Sequence, residues 1–305
     1  MPDLPKRKLG RTGLDVTVLG FGAMELRGTA GGVRGGRQLA PGQAEKVLNA
    51  ALDSGINFID TSIDYGDSEE LIGSFISRRR NEYFLASKCG CIVDPATAPP
   101  GARHLYTRKN VMDGVNQSLK RLKTDHLDLV QFHNVSSRQE AEKEGALQAL
   151  LDLKREGKVR FIGSSSTLPG VGELITMGVF DAFQIPYSAL EREHEGAISQ
   201  AARAGAGTVI RGGVARGEPG HGLADENRWK LWDRAGLSEL LDGATQMEFL
   251  LRFTISHPDL HTTIVGTINT DHLAQNVAAA RKGPLPAAVY NEAKKRLAAA
   301  GAAPA

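Results

Sequence analysis

Short apolar runs alternate with amphipathic helical patterns along almost the whole chain. Each run is followed by apolar positions at helical spacing, and each helical pattern ends near a glycine or a charged residue. After a first strand near Leu19, the predicted strands cover residues 58–60, 83–88, 127–133, 160–164, 182–185, 208–211 and 263–265. The pattern therefore predicts eight strands, each followed by a helix.

Eight such units predict a single (β/α)8 TIM barrel that spans residues 1–305, with parallel strands ringed by helices. The runs around residues 8–19 predict a small β-hairpin before the barrel. The Ala-rich tail from Ala298 to Ala305 is expected to fray. The main helices are predicted at residues 44–52, 68–77, 111–122, 140–156, 171–177, 193–204, 247–256 and 270–280. A further helix that carries Trp229 and Trp232 is predicted within the long loop after strand seven.

A doubly wound open sheet is the alternative fold for alternating strands and helices. That fold normally carries a G-x-G-x-x-G run after its first strand to bind a dinucleotide. Here Gly20, Gly22 and the glycines between Gly28 and Gly36 do not have that spacing. The closed barrel is therefore the preferred prediction.

Composition narrows the class of protein. The chain has 41% hydrophobic residues and a net charge of +2 from 37 basic and 35 acidic residues, which argues against a nucleic-acid surface or a polybasic membrane patch. Cys89 and Cys91 are too close for an easy disulfide and too few for a metal site, which favours a reducing compartment. The start of the chain lacks an apolar leader, and no apolar run reaches about 18 residues. We expect a soluble, cytoplasmic protein without a metal.

Three polar residues end predicted strands on what would be the C-terminal face of the barrel. They are Asp60, Lys88 and His133, and Tyr65 follows Asp60 in its loop and can reach back over the same face. Active sites of this fold lie on that face. A carboxylate at the end of a buried strand needs a charged partner, which Lys88 can supply from the next strand. Taken singly each residue has a structural interpretation, but together they predict an active site.

An aspartate, a lysine, a tyrosine and a histidine suit a carbonyl that is protonated as it is reduced. A tyrosine with a pKa near 10 needs a shift of about three units, or about 4 kcal/mol, to exchange protons readily near neutrality. Lys88 favours the phenolate, Asp60 keeps Lys88 charged, and His133 can hydrogen-bond the carbonyl. None of these side chains donates a hydride, so a reductase requires a cofactor.

Further segments stand in order along the chain: KLGRTG at 8–13, DSGINFIDT at 53–61, SK at 87–88, QFH at 131–133, GKVRFIG at 157–163, Gln184 with Tyr187, and 269–276. With them the chain resembles the aldo-keto reductase family over nearly its whole length. The resemblance implies a (β/α)8 barrel that binds an extended nicotinamide cofactor. It also implies that Tyr65 is the general acid, that Lys88 lowers the pKa of Tyr65, that Asp60 supports Lys88, and that His133 orients the carbonyl.

The same resemblance places the nicotinamide at the ends of predicted strands five and six. Tyr187 is expected to stack on its ring, and Ser165 and Gln184 are expected to hold its carboxamide. Ser166 stands where the family usually has asparagine.

For the phosphates, the resemblance implies a variant clamp made by Arg211, Gly212, Gly213, Val214 and Gly217. An arginine and free backbone amides suit an anion. Near the adenosine it implies Gly266, Thr267, His272, Gln275 and Asn276. His272 stands where an arginine often holds the 2'-phosphate. This difference weakens the case for NADP(H) over NAD(H) without reversing it, so NADP(H) is favoured and NAD(H) stays possible.

The predicted function is NAD(P)H-dependent reduction of a small aldehyde, ketone or sugar-like carbonyl, or the reverse oxidation of the alcohol. Loops 24–39, 89–107 and 217–246 are expected to shape the substrate pocket. One alternative is a nucleotide-binding regulatory or redox-sensing barrel with little turnover. A second is an aldolase-like barrel in which Lys88 forms a Schiff base. The four polar residues disfavour the first, and the cofactor-like residues disfavour the second.

Overall fold

The computed structural model describes residues 3–29, 35–219 and 225–304, so parts of the predicted loops 24–39 and 217–246 lie outside the described residues. The chain starts with the predicted hairpin, in which β1 (Lys6–Lys8) pairs antiparallel with β2 (Asp15–Thr17). Leu9, Leu14 and Val16 of this hairpin pack against apolar side chains inside the barrel. The hairpin therefore closes the N-terminal end of the barrel and leaves the opposite end for chemistry.

Eight parallel strands form the closed barrel. They are β3 (Leu19–Gly22), β4 (Phe58–Asp60), β5 (Phe84–Cys89), β6 (Leu127–His133), β7 (Val159–Ser165), β8 (Ala182–Pro186), β9 (Gly207–Arg211) and β10 (Thr262–Val265). Each strand pairs with the next along the chain, and β10 returns to pair with β3. The predicted barrel is confirmed, and the open sheet is wrong.

The helices are α1 (Gln43–Asp53), α2 (Ser68–Phe75), α3 (Arg108–Leu122), α4 (Arg138–Glu142), α5 (Ala146–Arg155), α6 (Gly170–Thr176), α7 (Glu195–Arg203), α8 (Glu226–Arg234), α9 (Gln246–Ile255), α10 (Thr270–Arg281) and α11 (Ala287–Ala299). Their apolar faces pack on the outside of the barrel. In α1, for example, Val47, Leu48 and Ala51 have no exposed surface. Full burial of a side chain such as Leu48 contributes about 1.5–3 kcal/mol. Over the ranges that the structure describes, no helix is long and apolar enough to cross a bilayer.

Two predicted elements need correction. The single helix expected over 140–156 is two helices, α4 and α5. Gly145, between them, adopts a left-handed conformation (φ 72°) that interrupts the helical backbone. The tail does not fray from Ala298. The carbonyl of Ala302 accepts a hydrogen bond from Arg192 Nη1 at 3.0 Å, and Ala302 packs on the core. This contact with an arginine from the loop between β8 and α7 is long-range, and an Ala-rich composition does not reveal it.

Candidate active site

The centre of the C-terminal face is a buried ion pair. Lys88 Nζ lies 2.6 Å from Asp60 Oδ1 and also donates to the carbonyl of Thr61 at 2.8 Å. The second carboxylate oxygen of Asp60 accepts hydrogen bonds from Gln131 Nε2 at 3.1 Å and from Gln184 Nε2 at 2.8 Å. Both side chains of the pair are at most 2% exposed. Each charge is thus matched and hydrogen-bonded, which is the condition for burying an ion pair.

The register of the strands explains why these residues meet. Phe58, Ala86, Leu129, Ala182 and Val209 form an apolar layer inside the barrel together with the hairpin. Side chains alternate between the two faces of a strand, so residues two positions further on point inward again, one layer nearer the C-terminal end. That second layer is polar and consists of Asp60, Lys88, Gln131, Gln184 and Arg211. The alternation in the sequence was the signal that could have added Gln131 to the predicted site.

The ion pair fixes the charge of Lys88. Burial by itself would lower the pKa of the Lys88 ammonium, but the carboxylate of Asp60 and its hydrogen bond raise the pKa above its ordinary value. Lys88 is therefore a cation at any physiological pH. The lone pair that a Schiff-base lysine needs is not present on this nitrogen.

Tyr65 lies over Lys88, with the ammonium nitrogen 4.8 Å from the centroid of the phenol ring. The turn after β4 places it there, since the Tyr65 amide donates to the carbonyl of Ser62 at 3.1 Å. Burial raises the pKa of Tyr65, and Asp60 and Asp64 raise it further, while Lys88 lowers it. The expected lowering by Lys88 has the predicted sign but is outweighed by burial. Tyr65 thus keeps its proton near neutrality.

His133 completes the rim at the end of β6. Its ring centroid lies 6.0 Å from that of Tyr65, and the two rings are nearly perpendicular. Its Nδ1 lies 3.1 Å from Cys91 Sγ, 3.4 Å from Asp64 Oδ1 and 3.4 Å from Ser62 Oγ. All the side-chain hydrogen bonds that His133 makes with the described residues use Nδ1. The structure thus brings the four predicted residues together on one face.

Asp64 was missed by the sequence interpretation although it directly precedes Tyr65. Burial would raise the pKa of its carboxyl, but hydrogen bonds from His133 and from Ser62 (2.5 Å) hold that pKa well below its usual range. Asp64 is therefore ionised beside His133. The neighbouring Cys91 is buried, which raises the pKa of its thiol well above the usual value.

Ser165 and Gln184 are connected to the ion pair. Ser165 Oγ donates to Gln184 Oε1 at 3.0 Å, and Gln184 in turn donates to Asp60. Ser166 points elsewhere, since its hydroxyl donates to the carbonyl of Val135 at 2.8 Å. Two of the three predicted carboxamide residues therefore share one network with the tetrad, and Ser166 lies outside it.

Tyr187, which is expected to stack on the nicotinamide, is buried. Its side chain has no accessible surface, and its ring centroid lies 6.1 Å from that of Phe253 and 5.2 Å from that of His257. Its hydroxyl oxygen lies 3.2 Å from the hydroxyl oxygen of Tyr290. The ring is therefore enclosed in this structure, and its stacking on a nicotinamide stays a prediction. Arg211, at the end of β9 in the polar layer, lies at the opening of the barrel instead.

The loop after β9 has the backbone of a tight, glycine-dependent turn. Gly212, Ala215, Arg216 and Gly217 all have left-handed φ values, between 51° and 107°. A Cβ on Gly213 would lie 2.5 Å from Thr263 Oγ1, so only glycine fits there. Val214 packs partly buried on the core. The conformation of this turn thus depends on glycine at these positions and on its packing against β10 and the core.

A short loop connects the C-terminal end of β10 to the N-terminus of α10. A Cβ on Gly266 would lie 2.6 Å from the carbonyl of Gly22, and Thr267 Oγ1 accepts from the Asn269 amide at 3.0 Å. Asn269 Oδ1 caps the helix by accepting from the Asp271 amide at 2.7 Å. The predicted adenosine contacts lie one helical turn apart on an accessible face of α10 and comprise His272, Gln275 and Asn276.

These residues fit a nicotinamide dinucleotide at both ends. Ser165 and Gln184 supply hydroxyl and amide groups next to Asp60, of the kind a carboxamide requires, and the N-terminus of a twelve-residue helix suits a phosphate at the far end. Arg211 in the polar layer adds a cation between them. Ser166 and Tyr187 fit less directly, because the Ser166 hydroxyl bonds the carbonyl of Val135 and the Tyr187 ring is enclosed.

Comparison with known proteins agrees with this geometry. The sequence model of the Aldo/keto reductase family matches residues 18–297. The chain is 28% identical to the uncharacterized oxidoreductase YqkF of Bacillus subtilis over 295 residues, 90% of each chain. It is 34% identical over 170 residues to the L-galactose dehydrogenase of Arabidopsis thaliana, which is 53% of this chain and 49% of that one. The holo form of aldo-keto reductase AKR11C1 from Bacillus halodurans superposes with a TM-score of 0.80 at 28% identity, covering 96% of both chains. The chain therefore belongs to the aldo/keto reductase family and is an NAD(P)-dependent oxidoreductase.

Proposed function

We propose that the protein is a cytoplasmic reductase of a small aldehyde, ketone or sugar-like carbonyl, with Tyr65 as general acid. The observation that carries the proposal is the buried ion pair of Lys88 and Asp60 directly beneath the ring of Tyr65. His133 lies beside Tyr65 on the same face. A proton donor, a fixed cation and a second polar group thus converge where a carbonyl oxygen would be reduced.

When bound, the nicotinamide supplies or accepts the hydride. Tyr65 holds a proton because burial raises its pKa, and it gives that proton to the carbonyl oxygen. The phenolate that is left is stabilised by Lys88. A cation about 5 Å away contributes about 3 kcal/mol at an effective dielectric constant of about 20. In alcohol oxidation the same phenolate takes the proton back.

Asp60 and His133 position the reacting groups. Asp60 keeps Lys88 charged, and the two amides that donate to Asp60 hold its carboxylate in one orientation. The Nδ1 side of His133 faces Asp64, so Nε2 is the nitrogen that can turn to the substrate oxygen. Preorganised groups of this kind lower the barrier because they need not reorient during the reaction.

Both alternatives from the sequence are disfavoured. A Schiff base needs a neutral lysine, whereas Lys88 is a cation with hydrogen bonds to Asp60 and Thr61. A sensor with little turnover has no need of a complete proton-transfer set. A barrel active with carbonyl substrates and inert to trapping at Lys88 would separate the reductase from both.

NADP(H) is the favoured cofactor. The N-terminus of α10 and the exposed His272 can meet a 2'-phosphate, although an imidazole is a weaker phosphate ligand than an arginine. NAD(H) stays possible for the same reason. Fluorescence titration with NADPH and NADH measures the preference directly.

A sugar-like carbonyl is included because one relative, the L-galactose dehydrogenase of Arabidopsis thaliana, acts by its name on a sugar. Trp229 and Trp232 are only 5% and 1% exposed, so neither offers an accessible surface to a substrate. Their indole nitrogens donate hydrogen bonds to the carbonyl of Gly217 and to Ser238 Oγ, respectively. The substrate wall therefore comes from other residues of the top loops.

The test is Tyr65→Phe, which removes one hydroxyl and keeps the ring. We expect turnover of a carbonyl panel to fall by about 10²–10⁴-fold, the usual contribution of a general acid, while the dissociation constant for NADPH stays within about twofold. Equal losses of turnover and of cofactor affinity would contradict the assigned role. Phe is compatible with the partly exposed site, and circular dichroism confirms that the variant is folded.

A further inference from the structure

Four side chains with metal-binding atoms converge beside Tyr65. They are Asp64, Cys91, His104 and His133, and one ligating atom from each lies within 4.8 Å of all the others. We propose that this cluster binds a divalent cation of the zinc class on the C-terminal face of the barrel. The proposal does not depend on the carbonyl reduction proposed above.

The spacing is close to that of a tetrahedral site. Bonds of about 2.0–2.3 Å to nitrogen, oxygen and sulfur place the ligand atoms of a zinc ion about 3.3–3.8 Å from one another. His133 Nδ1 lies 3.1 Å from Cys91 Sγ and 3.4 Å from Asp64 Oδ1. The widest pair, at up to 4.8 Å, has to close by about 1 Å, which a side-chain rotation provides.

The loop that carries Cys91 and His104 is folded by the protein itself. These two residues form an isolated antiparallel bridge, so the chain leaves β5, doubles back and places them side by side. Asn110, in the first turn of α3, holds both segments of this loop, because its Nδ2 donates to the carbonyl of Cys91 (2.9 Å) and to that of Leu105, next to His104 (2.8 Å). Two ligands are thereby held in place independently of a metal.

One ligand has an unmet bonding requirement. His104 Nε2 is buried and has no hydrogen-bond partner, a state that costs about 1–3 kcal/mol. The His104 ring stacks on Tyr106, with centroids 6.0 Å apart, and meets the ring of His133 edge-on at 5.2 Å. A partly buried imidazole that packs against a second imidazole and has a buried, unsatisfied nitrogen is suited to coordination.

The ligand types select the class of metal. One thiolate, two imidazoles and one carboxylate are the donors of zinc and similar transition metals, whereas magnesium and calcium prefer oxygen alone. Cys91 loses its proton on coordination, and its charge together with that of Asp64 then balances a divalent ion. Ser62 Oγ donates to Asp64 at 2.5 Å and so orients the carboxylate from the outer shell.

The site shares His133 with the tetrad, so the two are coupled. Gathering the ligands moves the His133 ring relative to Tyr65, from which it now lies 6.0 Å away. Displacements of about 1 Å in a catalytic group can cost about 10²-fold in rate. Occupancy is therefore a means of lowering the turnover of the enzyme.

The experiment is titration of the full chain with Co²⁺, a spectroscopic substitute for zinc. We expect one ion per chain, visible bands of tetrahedral cobalt, a thiolate-to-cobalt charge-transfer band in the near ultraviolet, and displacement by Zn²⁺. Cys91→Ser should abolish the charge-transfer band, and His104→Gln should weaken binding by about 100-fold or more. Cys89→Ser is the matched control, because Cys89 is buried two residues away and outside the cluster.

Absence of the charge-transfer band in the folded wild-type protein would overturn the proposal. So would an equal loss of the band in Cys89→Ser. Circular dichroism verifies folding of every variant, and NADPH titration of the same samples keeps a failure of the metal site distinct from a failure of the reductase.

Discussion

The two sides of the barrel opening are built differently. On the side of β4 to β6, Asp60 and Lys88 meet at 2.6 Å, are nearly fully buried and carry the rings of Tyr65 and His133 directly above. On the side of β7 to β10, the predicted cofactor contacts lie in a glycine-rich turn and along the exposed face of α10. Proton transfer demands fixed side chains, whereas phosphates can be held by backbone amides and a helix N-terminus. The first side is therefore easier to identify from residue types.

The two sides are joined at Asp60. Gln131 donates to its carboxylate from β6 and Gln184 donates from β8, and Gln184 also accepts from Ser165 at the nicotinamide end. A change on the cofactor side can thus reach the ion pair through one amide. Substitutions at the two glutamines can therefore measure how far proton transfer and cofactor binding depend on different sides of the opening.

The largest effect is expected for Lys88→Met, which removes the cation paired with Asp60. Turnover should fall by about 10³-fold or more, since the phenolate of Tyr65 loses its counterion. The free energy of unfolding should fall by about 3–5 kcal/mol, because a buried carboxylate is left without its charged partner. Steady-state kinetics and urea denaturation measure the two effects.

The control for that change is Lys8→Met, which breaks the solvent-exposed ion pair with Asp15 in the N-terminal hairpin. It should cost about 1 kcal/mol or less and leave turnover unaltered. If Lys88→Met kept more than a tenth of the wild-type turnover, the β4 to β6 side would not be the centre of proton transfer.

A smaller effect should separate the two glutamines. Gln131→Leu and Gln184→Leu each remove one hydrogen bond to the charged Asp60, worth about 1.5–3 kcal/mol, so both should lower turnover by about 10- to 100-fold. Only Gln184→Leu should also weaken NADPH binding, because Gln184 alone contacts Ser165. Titration of both variants with NADPH gives the comparison, and equal cofactor affinities would show that the two sides are not divided as described.

The sequence predicts most of the barrel and the whole tetrad for a physical reason. Strands and their ends follow from a local pattern, and parallel strands bring their ends together without further information. Features that depend on distant contacts were not accessible. Tyr187 is enclosed by Phe253 and Tyr290 from the other end of the chain, and no local pattern signals that burial.

The surroundings of Cys91 could not be predicted from a local pattern either. Two cysteines alone do not make a metal site, and the sequence offers no reason to join Cys91 to His104 thirteen residues later and to His133 on the next strand. The fold brings the further ligands of the proposed site together, partly through the bridge between Cys91 and His104. The break at Gly145 was readable in principle, since a glycine inside a helical pattern weakens the helix.

The smallest effect concerns the far end of the cofactor side, where His272→Arg should sharpen the preference for NADPH. An arginine on the exposed first turn of α10 can make paired hydrogen bonds with a 2'-phosphate, so NADPH should bind about tenfold tighter, equivalent to about 1.4 kcal/mol, while NADH binding stays the same. Ala274→Arg is the control, since it adds the same charge to a different face of the helix, about 200° around the axis. Fluorescence titration with both cofactors measures the ratio. If Ala274→Arg changed the ratio as much as His272→Arg, the effect would be one of net charge, and His272 would not lie at the 2'-phosphate.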